Sequence, residues 1–142
     1  MEGMRDGFVL DCSLTMAWCF DDEATPETDR IRDALAGVRA IVPSLWPIEV
    51  ANAFLVGERR KRLDEARGRR FLSLLGHLPI LVDDETAARA WADTGYLARA
   101  RQLSAYDATY LELALRRGLP LACLDGKLKA AARAAGVLIF TG

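Results

Sequence analysis

Residues 8–13 read Phe8-Val9-Leu10-Asp11-Cys12-Ser13, an apolar run ended by an acid, and residues 121–125 repeat the form as Leu121-Ala122-Cys123-Leu124-Asp125. Short aliphatic runs bounded by Gly, Pro or Asp predict buried parallel strands. Three more such runs occur, so strands are expected at 8–11, 39–42, 80–82, 121–124 and 137–140. The stretches between them have helical patterning, over about 13–20, 26–36, 46–61, 64–77, 84–101, 104–117 and 127–135. Strands alternating with helices give an α/β sandwich around a mostly parallel sheet.

Boundary signals support this division. Thr25-Pro26-Glu27 has an N-cap, a first-turn proline and an acid in order, and Asp64-Glu65 opens the next helix in the same way. Gly37, Gly118 and Gly136 stand just before strands, where a left-handed helix cap is expected.

The connectivity then has a chemical consequence. In a parallel βα unit the strand's C-terminal end and the next helix's start share one edge of the sheet, where open α/β sheets bind ligands. Asp11 and Asp125 directly follow strands, Glu49 lies in the first turn of a helix entered through Pro43 to Pro47, and Asp107 opens the helix feeding the fourth strand. All four acids are therefore expected at one edge. Carboxylates packed that closely repel one another unless a cation joins them.

Each acid also has a plainer reading. Asp11 can cap the first helix unless Ser13 takes that role, and Asp125-Gly126 can be a simple turn. Ser104-Ala105-Tyr106-Asp107 fits a capping box, although Asp107 shares its helix face with Tyr110, Leu111 and Ala114. Glu49 is the hardest to explain structurally. It and Asn52 interrupt the apolar helix Ile48 to Val56, which is expected to be buried on most faces, so Glu49 needs either a metal or an arginine partner.

Composition limits the alternatives. The chain has 142 residues, is 51% hydrophobic and carries a net charge of -1. One domain, residues 1–142, is expected, with no internal repeat or linker. No apolar run reaches the roughly 20 residues of a membrane span, and MEGMRDG at the start lacks a secretory pattern, so a cytoplasmic protein is expected. Cys12, Cys19 and Cys123 lack CxxC spacing and read as small buried hydrophobes, and His77, the single histidine, reads as a packing or helix-end residue. The charge excludes an overall basic nucleic-acid binder and leaves one local cluster, Arg59, Arg60, Lys61 and Arg62 continued by Arg67, Arg69 and Arg70. That cluster is equally readable as a solvated helix end.

Four acids without a histidine or an activated cysteine suit hard-metal chemistry. Carboxylate oxygens select Mg²⁺ or Mn²⁺, which leave coordination positions open for phosphate. Phosphodiester hydrolysis then follows with one ion, or with two ions roughly 3.5–4 Å apart.

Taken in order, strand-Asp11-x-Ser13, then Pro43 with Glu49-Val50-Ala51-Asn52, then Ser104-Ala105-x-Asp107-Ala108-x-Tyr110 with Ala114, then Leu124-Asp125 before a helix, resemble the PIN domain. The likeness is specifically to the VapC-type toxins of bacterial toxin-antitoxin pairs and runs from about residue 8 to 140. The resemblance implies an α/β/α sandwich, a Mg²⁺- or Mn²⁺-dependent endoribonuclease, a homodimer, RNA approaching along a basic groove, and inhibition by a VapB-type antitoxin. It places the metal ligands and catalytic acids at Asp11, Glu49, Asp107 and Asp125, with Ser13 and Asn52 as supporting polar residues. Cys123 departs from the pattern, because a threonine is common two residues before the last acid.

Two other readings compete with this one. Asp11-x-Ser13-x-Thr15 weakly resembles the first motif of haloacid-dehalogenase-like phosphatases, but Ser13 stands where the second acid of that motif belongs. A PIN-like module that binds RNA or protein without cutting usually lacks one or more of the acids, and all four are present here.

Overall fold

The structure, a computed structural model, describes residues 7–142, so the non-secretory reading of MEGMRDG falls outside the described residues except at Gly7. Strands β1 (Phe8–Leu10), β2 (Ala40–Pro43), β3 (Ile80–Asp83) and β4 (Leu121–Ala122) form one parallel sheet in the order β3-β2-β1-β4. Helices α1 (Cys12–Cys19), α2 (Pro26–Ala34), α3 (Leu45–Arg59), α4 (Glu65–Gly76), α5 (Thr86–Arg89), α6 (Gly95–Arg101), α7 (Ala105–Arg117) and α8 (Gly126–Ala134) flank it. The expected α/β architecture is the one observed. No helix among the described residues is long and apolar enough to cross a membrane.

The core explains this order. β1 lies in the sheet interior, with Phe8, Val9 and Leu10 all fully buried, and Phe8 stacks on Phe140 at a 4.2 Å centroid distance. Tyr110, Leu111 and Leu113 of α7 are buried to about the same degree, and α7 packs across β1, β2 and β4. The helix carrying Asp107 is thereby seated on the strands that lead to Asp11 and Asp125.

Several local expectations are met. Thr25 and Thr28 form a reciprocal capping box, Asp64 accepts from the Arg67 amide at 2.7 Å, and Gly118 and Gly136 have φ of +65° and +84°. His77 caps α4, its Nδ1 lying 2.7 Å from the Ser73 carbonyl. Cys19 and Cys123 are buried and Cys12 is half-buried, all unbridged.

Four expectations need correction. Residues 137–140 form no full fifth strand: they make a single bridge, Leu121 to Ile139, because β4 is itself two residues long before the chain turns into α8. β3 is an edge strand and not a buried one, so Leu81 and Val82 are about half exposed. Gly37 is not left-handed, since the end of α2 closes by tight turns in which the amides of Leu35, Ala36 and Gly37 each bond a carbonyl three residues back. The stretch 84–101 is not one α-helix, because a π-helical segment, Ala90–Thr94, separates α5 from α6. It leaves Trp91 exposed and Thr94 buried.

Candidate metal centre

Asp11 ends β1 and is 6% exposed. It occupies the N-cap position of α1, but its side chain makes no cap hydrogen bond. Ser13 does not cap either. Its hydroxyl donates to Oδ2 of Asp11 at 2.6 Å and accepts from the Leu124 amide at 3.4 Å, which ties the end of β1 to the segment leading to Asp125. Burial, with the nearby charges of Glu49 and Asp107, pushes the Asp11 carboxyl up to about 6 despite the Ser13 bond.

Glu49 is half-buried near the start of α3, and its carboxylate accepts from the Tyr110 hydroxyl of α7. Burial raises its pKa, the tyrosine bond opposes that rise, and Asp107 adds to it. Tyr110 is 1% exposed, and burial together with these carboxylates lifts its own pKa far above normal, so it remains a donor. Sequence reasoning placed Tyr110 on the packing stripe and missed this bond. Its position one turn beyond Asp107 on the same helix was the available signal.

Asp107 forms only half of a capping box. Its amide donates to Ser104 Oγ at 3.0 Å, but its carboxylate makes no return bond to the Ser104 amide. Burial and the charge of Asp125 raise its pKa, and Lys127 opposes them. Asp125 caps α8 through a 2.8 Å bond from the Leu128 amide to Oδ2, so the plainer reading of that residue is correct for one of its two oxygens.

The charges of Glu49 and Asp107 raise the pKa of Asp11, Asp107 raises that of Glu49 and Asp125 that of Asp107, while Ser13 joins Asp11 to the Leu124 amide just before Asp125. None of the four forms an ion pair with an arginine or lysine among the described residues. No three of them bring oxygens within 4.8 Å of one another, so the four acids do not form a closed ligand shell. Asn52 is exposed and makes no side-chain hydrogen bond among the described residues. The expected burial of α3 on most faces is also not found: Ile48 is 69% exposed and Leu55 48%. Its buried residues are Trp46, Val50, Phe54 and Gly57, on one narrow stripe flanked by the half-buried Glu49 and Ala53.

The tightest acidic triplet lies elsewhere, at Asp83, Asp84 and Glu85. Arg116 grips both oxygens of Asp83 at 2.8 and 3.0 Å, and Arg117 adds a bond at 2.9 Å. These guanidiniums hold the Asp83 carboxyl well below the usual range. A cation there would have to displace two arginines, so this triplet is a structural ion-pair network.

The donor set at Asp11, Glu49, Asp107 and Asp125 fits a hard divalent cation. All its donors are carboxylate oxygens, its most buried member is costly to ionise alone, and that member has no ion pair among the described residues. The thiols beside it do not compete as ligands, since burial pushes Cys12 and Cys123 up to about 12.

The basic cluster divides into two groups. Arg62 pairs with Asp22 and Glu23 and sits 4.0 Å over the Phe20 ring, Arg67 pairs with Asp21, and Arg69 pairs with Glu65. Arg59, Arg60, Lys61 and Arg70 are exposed and form no ion pair among the described residues.

A family model for the PIN domain matches residues 8–134. Comparison with curated proteins gave no significant match. Among solved structures, PAE2754 from Pyrobaculum aerophilum is 23% identical with a TM-score of 0.66, over 91% of this chain and 87% of that one. VapC20 of Mycobacterium tuberculosis is 16% identical with a TM-score of 0.62, over 96% of this chain and all of that one. FitAcB from Neisseria gonorrhoeae is 20% identical with a TM-score of 0.55, over 94% of this chain and 96% of that one. At these identities the likeness is one of fold.

Proposed function

The chain belongs to the PIN domain family, and from that premise we propose that it is a divalent-metal-dependent endoribonuclease, the toxin of a VapBC-type pair. What supports this reading is that Ser13 ties Asp11 to the segment before Asp125 and Tyr110, one turn beyond Asp107, bonds Glu49, while none of these four acids forms an ion pair among the described residues and only the charge of Lys127 opposes the rise at Asp107. VapC20, which shares the fold, is a toxin that cleaves the sarcin-ricin loop.

These four carboxylates would hold Mg²⁺ or Mn²⁺, which when bound lowers the pKa of an attacking water and offsets charge on the phosphate. The chain's own residues set up that site. Ser13 fixes the rotamer of Asp11, and Tyr110 fixes Glu49 against the sheet. Asp125 is held by its cap bond, which leaves its second oxygen available. Asn52, exposed one turn beyond Glu49, is proposed as the polar residue that supports Glu49. Arg59, Arg60, Lys61 and Arg70 supply phosphate attraction that the net charge does not. Ile48 and Leu55 offer an apolar surface beside the site that a VapB-type antitoxin or a second copy in a homodimer would cover. A cytoplasmic location accords with this role.

Purified protein is expected to cleave RNA with Mg²⁺ or Mn²⁺, to stop with EDTA, and to lose activity in Asp11→Ala while staying folded by circular dichroism. Undiminished cleavage by folded Asp11→Ala would defeat the reading.

A further inference from the structure

Among the described residues the sheet's far edge carries no further strand. Leu121 of β4 bonds the Leu138 carbonyl and the Phe140 amide, each at 2.9 Å, so Ile139 between them turns its N–H and C=O away from the sheet. Those two groups, the Val137 carbonyl and the Thr141 amide make no hydrogen bond among the described residues. They form a short alternating row of acceptors and donors, which is what an added strand pairs with.

A groove of about 500 Å³ runs along this row, lined by Leu138, Ile139, Thr141, Lys129, Arg133 and Glu27 among others. Leu138 is 65% exposed. Lys129 and Arg133 stand one turn apart on α8, enter no ion pair among the described residues, and outnumber Glu27. Four residues of helix rise about 6 Å. Alternate side chains of an extended strand are spaced by about 6.6–6.8 Å. Two acidic side chains at positions i and i+2 of a docked strand therefore match Lys129 and Arg133 in both charge and spacing.

We propose that the edge at residues 137–141 is a docking site for an extended acidic peptide segment of a partner protein, added as a strand beside Ile139 and read by Lys129 and Arg133. A second copy of this chain fits less well, because two-fold pairing of this edge would bring the Lys129 and Arg133 pairs of both copies together. A nucleic acid would satisfy the two cations but leave the Val137 and Ile139 carbonyls without donors. The strand row at 137–141 is a different element from the acids at the strand ends, although Lys129 stands one turn from Asp125, and the docking reading stands independently of the nuclease reading.

The test uses the full chain and a fluorescein-labelled eight-residue peptide of alternating Glu and Val, followed by fluorescence anisotropy. Saturable binding is expected. A Lys/Val peptide, and a Glu/Val peptide N-methylated at alternate amides, should each bind at least tenfold more weakly. Lys129→Glu with Arg133→Glu should reverse the preference between the Glu and Lys peptides, and circular dichroism checks the fold, since neither residue is buried. Equal affinity for the methylated peptide, equal affinity for the Lys peptide, or displacement by a ten-residue oligouridylate would each overturn the proposal. So would a homodimer in sedimentation that the peptide disperses, because the edge would then belong to a second copy.

Discussion

The buried Tyr110 hydroxyl donates to Oε1 of Glu49, so helix α7 holds in place a carboxylate that belongs to helix α3. The bond crosses the same edge at which β1 and β4 end, and it joins two helices whose acids, Glu49 and Asp107, repel each other. One phenol thus sets the position of one acid, while its own helix supplies another.

Tyr110→Phe removes that donor and keeps the ring. A hydrogen bond to a charged group contributes about 1.5–3 kcal/mol. Part of this is recovered because Glu49 is only half-buried and can reach water. The expected outcome is a fold that is retained with a melting temperature lowered by a few degrees, and RNA cleavage reduced about tenfold through kcat. Unchanged kcat in steady-state kinetics would show that Glu49 needs no such support.

Asp11→Asn is expected to stabilise the metal-free protein while abolishing cleavage. Burial and two neighbouring acids make the ionised form costly, and an amide carries no charge into that site. A gain of about 1–3 kcal/mol at neutral pH corresponds to that penalty. Mg²⁺ should raise the melting temperature of the natural chain by mass action and leave the variant nearly unmoved. Differential scanning calorimetry with and without Mg²⁺ checks both halves. A variant less stable than the natural chain without metal would mean that Asp11 is a structural acid.

Much of this was legible in the sequence because it depends on local chemistry. Thr25, Asp64 and Gly118 act through bonds to residues three or four positions away, and strand ends marked by Asp11 and Asp125 follow from apolar runs. What escaped depends on distant partners. The helix Ile48 to Val56 reads as buried, yet Ile48 and Leu55 face outward, because apolar composition does not say which side meets the sheet. The strand at 80–82 carries an interior signature and lies at an edge, since strand order is not written in any one strand. The Tyr110 bond to Glu49 and the pairing of Arg116 with Asp83 each need the assembled sheet to be seen.

The Asp83 pairing predicts acid sensitivity. Arg116 and Arg117 depress the folded pKa of Asp83 below its unfolded value, so the stabilisation is fully present above the unfolded pKa, about 3.9. It fades as pH falls from about 5 through that value and toward the lower folded pKa. Asp83→Asn should lose about 3–5 kcal/mol at pH 7, the usual cost of breaking a buried pair, and its stability should fall less steeply below pH 5. Urea titrations at pH 7, 5, 4 and 3 give both slopes. Parallel curves for the two proteins would show that other carboxylates govern acid unfolding.

The unpaired arginines near the end of α3 give a prediction that separates RNA attraction from structure. Arg62 and Arg67 are tied to Asp22, Glu23 and Asp21, so replacing them should cost stability. Arg59 and Arg60 have no such ties among the described residues, and a double change to Ala there should leave the melting temperature within about a degree or two, as surface substitutions usually do. For every phosphate that these two arginines no longer neutralise, the slope of log affinity against log salt should fall by about 0.7 for single-stranded RNA. Binding of a labelled RNA to Asp11→Asn, measured across a salt series, reads this without cleavage. A slope unchanged by the double substitution would place the RNA path on another face of the molecule.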